Sequence, residues 1–128
     1  MKKIILILIS LNILLFSQTI NAKYHISYGI LSKLGIAQTN LFTNKDNYEI
    51  EIKAHTVGLA KFLTNNRVEI YKSSGKITNN KYIPTTFTKI RKDNKKTKTT
   101  VYSFDHINKK INVNENKDNI SRIYELEY

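Results

Sequence analysis

The sequence contains no cysteine among its 128 residues. Disulfides are excluded, and with them thiolate zinc sites, a cysteine nucleophile and a lipidated N-terminal cysteine. Proline occurs once, at Pro84, and glycine only four times. No glycine-rich loop of the kind that cradles phosphate is present, and no serine sits in a Gly-x-Ser-x-Gly elbow. Arginine is scarce as well: three residues against 18 lysines. Proteins that read nucleic-acid bases lean on bidentate arginine, so this composition argues against a nucleic-acid partner. The abundance of Lys, Asn and Ile is also what an A/T-rich coding sequence produces, which lowers the information carried by the formal charge of +11.

The first residues read as an export signal. Lys2 and Lys3 open the chain, and Ile4 to Phe16 is an apolar run broken only by Ser10 and Asn12. Ile20-Asn21-Ala22 then offers a small residue for cleavage, so the expected cut follows Ala22. The apolar run is short for a membrane span; an uncleaved anchor is the competing reading. Cleavage would leave residues 23–128 as one small periplasmic domain with no transmembrane segment. Its 19 basic and 10 acidic residues balance at +9.

What remains is dominated by alternation. Tyr48, Ile50, Ile52 and Ala54 point one way and Glu49, Glu51 and Lys53 the other, the period of a strand with one buried face. Tyr24 to Ile30 and Leu34 to Phe42 alternate before it, with Leu34, Ile36 and Phe42 assigned to one face. Arg67 to Ile77, Tyr82 to Arg91, Thr97 to Phe104, Lys109 to Asn114 and Ile120 to Tyr128 alternate after it. Ser73-Ser74-Gly75 predicts a kink, and Pro84 belongs near a strand start or an edge. Asn44–Asn47, Thr78–Lys81, Lys92–Lys96 and Asp105–Asn108 read as turns. The expected fold is mainly β: an antiparallel meander curling into a partial barrel.

One segment departs from this pattern. Leu59, Phe62 and Leu63 fall at i, i+3 and i+4, which predicts a short helix near 57–63. Thr56 is its expected N-cap and Asn65-Asn66 its stop. So short a helix must lean on something, and Leu59, Phe62 and Leu63 are expected to lie on the sheet. A plain apolar corner is the alternative.

The ordered set Ile26-Ser27-Tyr28-Gly29-Ile30, Gly35-Ile36-Ala37, Gly58-Leu59-Ala60-Lys61, Asn66-Arg67-Val68-Glu69-Ile70-Tyr71 and Tyr102-Ser103-Phe104-Asp105-His106 resembles the exported bacterial family catalogued as domain of unknown function 3108. The resemblance covers most of Tyr24 to Val113 and implies a periplasmic β-rich domain. It brings no activity and no catalytic residues. Members of that family run longer at the C-terminus, so the resemblance also implies a truncated chain and leaves barrel closure open.

No catalytic site is expected, and no cofactor. His25, His55 and His106 are too dispersed to suggest a metal site with Asp105, which reads instead as a turn-former. Glu49 and Glu51 are expected to face lysines across the sheet. Arg67 is expected to pair with one of those carboxylates, the alternative being an anionic ligand. The favoured role is a non-catalytic domain whose curled sheet holds an apolar ligand or an envelope partner's apolar segment. The groove would be lined by Tyr28, Leu59, Phe62, Leu63, Tyr102 and Phe104. The alternative is an adaptor on an anionic envelope surface, lipid or lipopolysaccharide, through Lys89, Arg91, Lys92, Lys95, Lys96 and Lys98.

Overall fold

Alternating runs of eight to thirteen residues can hide their apolar side chains by pairing with their neighbours and curling around one face. The computed structural model describes residues 17–28 and 31–128. Its strands are β1 (Gln18–Tyr28), β2 (Leu31–Thr43), β3 (Asn47–Thr56), β4 (Val68–Thr78), β5 (Lys81–Lys92), β6 (Thr97–Asp105), β7 (Lys110–Lys117) and β8 (Ile120–Glu127), with helix α1 (Gly58–Leu63) between β3 and β4. They form one antiparallel sheet in the order β1 to β8. The sheet is curled but not closed, the mainly β meander that the alternation predicts.

Turn chemistry sets the hairpins. Asn79-Asn80 and Asp118-Asn119 hold positive φ at both central positions, the turn whose twist matches that of paired strands. Asn44 Oδ1 accepts the amides of Asp46 and Asn47 at 3.1 and 2.8 Å. Asp93 and Asp105 cap the next turns in the same way. The amide of Lys95 holds the Asp93 carboxyl below its usual range, and that of Asn108 does so for Asp105. The register slips between Ser74 and Gly75, where Pro84 stands opposite, so the proline sits at a bulge where no ladder bond is required of it.

Directly paired residues share a face. The registers place Ile26, Leu41, Tyr48, Ile50, Ile52, Tyr71, Phe87, Tyr102 and Val113 on one side. The buried residues among those described, Gly35, Tyr48, Gly75, Thr100 and Val113, all lie on it, so it is the inside of the curl. Tyr48 and Tyr82 meet edge to face at 5.0 Å, and Tyr71, Phe87 and Tyr102 form a row with ring spacings of 6.4 and 5.8 Å. Val113, fully buried, lies between Tyr102 and Tyr124.

Four expectations are corrected. β2 is turned over: Leu41 lies across from Ile50 and Ala37 from Ala54, which sends Ile36 and Phe42 outward. The inward position at the corner needs a small residue, because a Cβ on Gly35 would stand 3.1 Å from the His55 carbonyl and 3.3 Å from Ile26 Cδ1. β1 begins at Gln18 rather than at Tyr24, with Ala22 opposite Thr39 within it. The charged start and the apolar run from Ile4 to Phe16 lie outside the described residues. Helix α1 forms where predicted and stops at Asn65-Asn66, both left-handed, with the Asn66 amide donating to the Lys61 carbonyl at 2.8 Å. Its N-cap is Val57, without a side-chain bond. The Thr56 hydroxyl instead donates to the Arg67 carbonyl (3.3 Å) and stands 2.9 Å from the Thr64 hydroxyl.

Those bonds also set the rotation of α1, which is the fourth correction. The Val57 amide donates to the Leu34 carbonyl at 3.0 Å, and Thr64 Oγ1 to the Ala60 carbonyl at 2.6 Å. Val57, Ala60 and Thr64, the small or pinned side chains, are partly covered. Leu59, Phe62 and Leu63 therefore face solvent, 71%, 80% and 85% exposed, rather than the sheet.

Candidate functional site

At the α1 end of the sheet the chain turns out of β3, through the helix, and back into β4 at Arg67-Val68. Two clefts open on either side of this corner. One, of about 540 Å³, is lined by Gln38, Lys53, His55, Thr56, Lys61, Asn66, Arg67 and Val68. Register explains part of the set: Gln38 pairs with Lys53, and His55 with Val68, on the outer face. The other, of about 270 Å³, is lined by Ile26, Ala54 and Glu69 from the inner face together with Leu34 and Ala60, and shares His55, Thr56 and Arg67 with the first.

Arg67 joins the two. Its Nε is buried and has no hydrogen-bond partner among the described residues. Glu51, an expected partner, is held by Lys72 at 2.6 Å across the β3–β4 pair. Glu69 is taken by the Tyr71 hydroxyl and by Arg91 Nε at 3.4 Å. Asp93 is near enough for Arg67 to help lower its pKa, but its Oδ1 accepts the Lys95 and Lys96 amides. Among the described residues, Lys53, Lys61 and Arg67 form no ion pair. A buried donor on a charged group, left unpartnered, costs more than a neutral one, and native structures keep few of them.

The residues predicted to line a groove are not brought together. Leu59, Phe62 and Leu63 stand on the outside of α1. Tyr102 is packed in the inner aromatic row. Phe104 lies toward the opposite end of β6, stacked on His106 at 6.1 Å. Tyr28 pairs with Leu31 through its backbone; its side chain is outside the described ones. His106 is more than a turn residue: its Nε2 donates to the Pro84 carbonyl at 2.6 Å, which leaves Nδ1 to accept from the Tyr128 hydroxyl at 2.6 Å.

The Lys89–Lys98 cluster is divided too. Lys89, Arg91 and Lys98 point to the inside of the curl: Arg91 meets Glu69, Lys98 meets Glu115 at 2.7 Å, and Lys89 Nζ lies 5.6 Å from the Tyr71 ring centre. Lys92 faces outward opposite Val68, and Lys95 and Lys96 occupy the β5–β6 turn. The corner cations eluded sequence reading because Lys53, Lys61 and Arg67 come from three different segments. The one local signal was an arginine in a lysine-rich chain.

No curated protein and no solved structure matches the chain. A family model does, described as a protein of unknown function (DUF3108) and spanning residues 23–125. That span covers most of the sequence, and the chain belongs to the DUF3108 family.

Proposed function

We propose that this is a non-catalytic periplasmic binding domain whose α1 corner takes a small anionic amphiphile. The acidic head would sit in the cationic cleft against Arg67, and a short apolar portion would sit in the smaller cleft against Ile26, Leu34, Ala54 and Ala60. The observation that carries this reading is the Arg67 Nε, buried and unpartnered between a cation-lined cleft and a partly apolar one. A carboxylate or phosphate there would accept from the guanidinium and draw on Lys53 and Lys61. Export is part of the proposal, supported by the charged start, the apolar run and the small residue at Ala22.

The test is titration with a fluorescent fatty acid and, in parallel, with its uncharged methyl ester. Arg67→Gln should weaken the acid roughly tenfold to a hundredfold, the range for losing one hydrogen bond to a charged group. The ester should bind weakly and be indifferent to the substitution. Equal binding of acid and ester, or an acid affinity untouched by Arg67→Gln, would refute the assignment.

A further inference from the structure

The same end of the molecule carries a feature that the ligand reading does not use. Leu59, Phe62 and Leu63 are among the most exposed large apolar side chains of the described residues. They are adjacent, because three- and four-residue spacing stacks them on one face of α1. Their exposure is not fraying. The helix is tied at its start by the Val57 amide to the Leu34 carbonyl, and just past its end by the Asn94 amide to the Asn65 carbonyl at 3.0 Å. The fold thus holds an apolar knob outward, at a cost that a purely structural corner has no reason to bear.

The segments that flank the knob are predominantly cationic. Lys61 projects from α1 itself. The Asn94–Asn65 bond brings in the β5–β6 turn with Lys95 and Lys96. On the other flank, the Lys33 carbonyl lies against Gly58, 3.5 Å from where a Cβ would stand. All four lysines are exposed, and none is in an ion pair among the described residues. The one carboxylate of the turn, Asp93, is turned back onto the Lys95 and Lys96 amides. Apolar side chains ringed by unpaired cations are complementary to a surface with anionic groups outside and hydrocarbon beneath. A second copy is a poor occupant, because a symmetric contact would set these lysines against themselves.

We propose that the α1 end docks on an anionic phospholipid bilayer, with Leu59, Phe62 and Leu63 entering the interface and Lys61, Lys95 and Lys96 meeting the headgroup phosphates. The docking inference uses the outside of α1, and the amphiphile site uses the clefts behind it; Lys61 alone is common to both, because it also lines the larger cleft.

The chain has no tryptophan, so one introduced residue gives a local signal. Phe62→Trp places it on the knob. Ile107→Trp places it in the β6–β7 turn at the far end, where the native residue is 92% exposed. Both are made in the full chain and mixed with vesicles of phosphatidylcholine plus phosphatidylglycerol, or of phosphatidylcholine alone. The expected result is a blue shift for Phe62→Trp on the anionic vesicles only, reversed by salt, with no shift for Ile107→Trp. Replacing Lys95 or Lys96, which line neither cleft, by Gln should each weaken the partitioning read at Phe62→Trp roughly fivefold. Because the probe reports its own position, membrane contact by another part of the chain does not register. No shift at low salt, an equal shift from both positions, or an equal shift on neutral vesicles overturns the proposal. So does a shift that rises with protein concentration when no vesicles are present, which assigns the knob to a second copy.

Discussion

Two regions of this molecule concentrate positive charge, and they treat it in opposite ways. On the inner wall from β4 to β7, Arg91 meets Glu69, Lys98 meets Glu115, and Lys89 lies over Tyr71. The strand registers impose these meetings, since Glu69 is directly opposite Arg91 and Lys98 is one strand from Glu115. At the α1 corner, Lys53, Lys61 and Arg67 converge from a strand, a helix and a loop and form no ion pair among the described residues; Glu69, which lines the smaller cleft with Arg67, is taken by Arg91. A run of charge in sequence is therefore no guide to a charged surface: alternation splits it between two faces, and ladder partners neutralise the inward half. Charge that serves a ligand is charge the ladder has left over.

If the wall is structural and the corner is not, substitutions should cost stability on the wall and little at the corner. The largest expected effect is at Gly75, beside the bulge. A Cβ there would lie 2.0 Å from the Ile83 carbonyl oxygen, a clash with backbone rather than with a mobile side-chain end. Gly75→Ala should lower stability by about 2–3 kcal/mol in urea unfolding; a loss below about 1 kcal/mol would mean that the bulge relaxes freely.

Glu69→Ala comes next. It strips Arg91 and Tyr71 of their shared acceptor and should cost about 1 kcal/mol. It has a second readout. The Glu69 hydrogen bond, then partial burial, raise the Tyr71 phenol above its ordinary value near 10. A raised folded pKa favours the protonated form, so this stabilisation is complete below pH ~10 and is lost as pH climbs through the folded value. In Glu69→Ala the ultraviolet titration of Tyr71 should move to lower pH, with Tyr71→Phe identifying its contribution. An unmoved titration would break the wall side of the comparison.

The smallest effect belongs to Arg67. Because its Nε has no partner, Arg67→Gln should leave thermal stability unchanged or slightly improved, while ligand affinity falls. A stability loss comparable to that of Glu69→Ala would make Arg67 a structural residue and erase the contrast.

Much of the fold was legible because strand alternation is local. Tyr48 to Ala54, the asparagine turns and the kink at Ser73-Ser74-Gly75 each need only their own neighbourhood to be read. β2 misled because both of its faces carry apolar residues. What turned Ile36 and Phe42 outward is the close approach of Ile26 and the His55 carbonyl to Gly35, a contact between three strands. The helix was visible in its spacing but not in its rotation, which depends on bonds from Val57 to Leu34 and from Asn94 to Asn65. The same holds for the corner site: each cation could be seen, but their convergence is a property of the path of the chain.

The strand order has a further consequence. Because β1 to β8 pair only in succession, no strand is locked in place by a later one. Closing each hairpin brings together residues near one another in sequence, so the chain-entropy cost of assembly is small for an all-β protein and folding should be correspondingly fast. Such a sheet behaves as a one-dimensional array, coupled only between nearest neighbours. β8, exposed along its whole length, can peel from β7 while β3, α1 and β4 stay intact. The β8 end is then free to fluctuate or to vary in sequence without disturbing the corner, whereas the β1 end is not, because its Ile26 lines the smaller cleft.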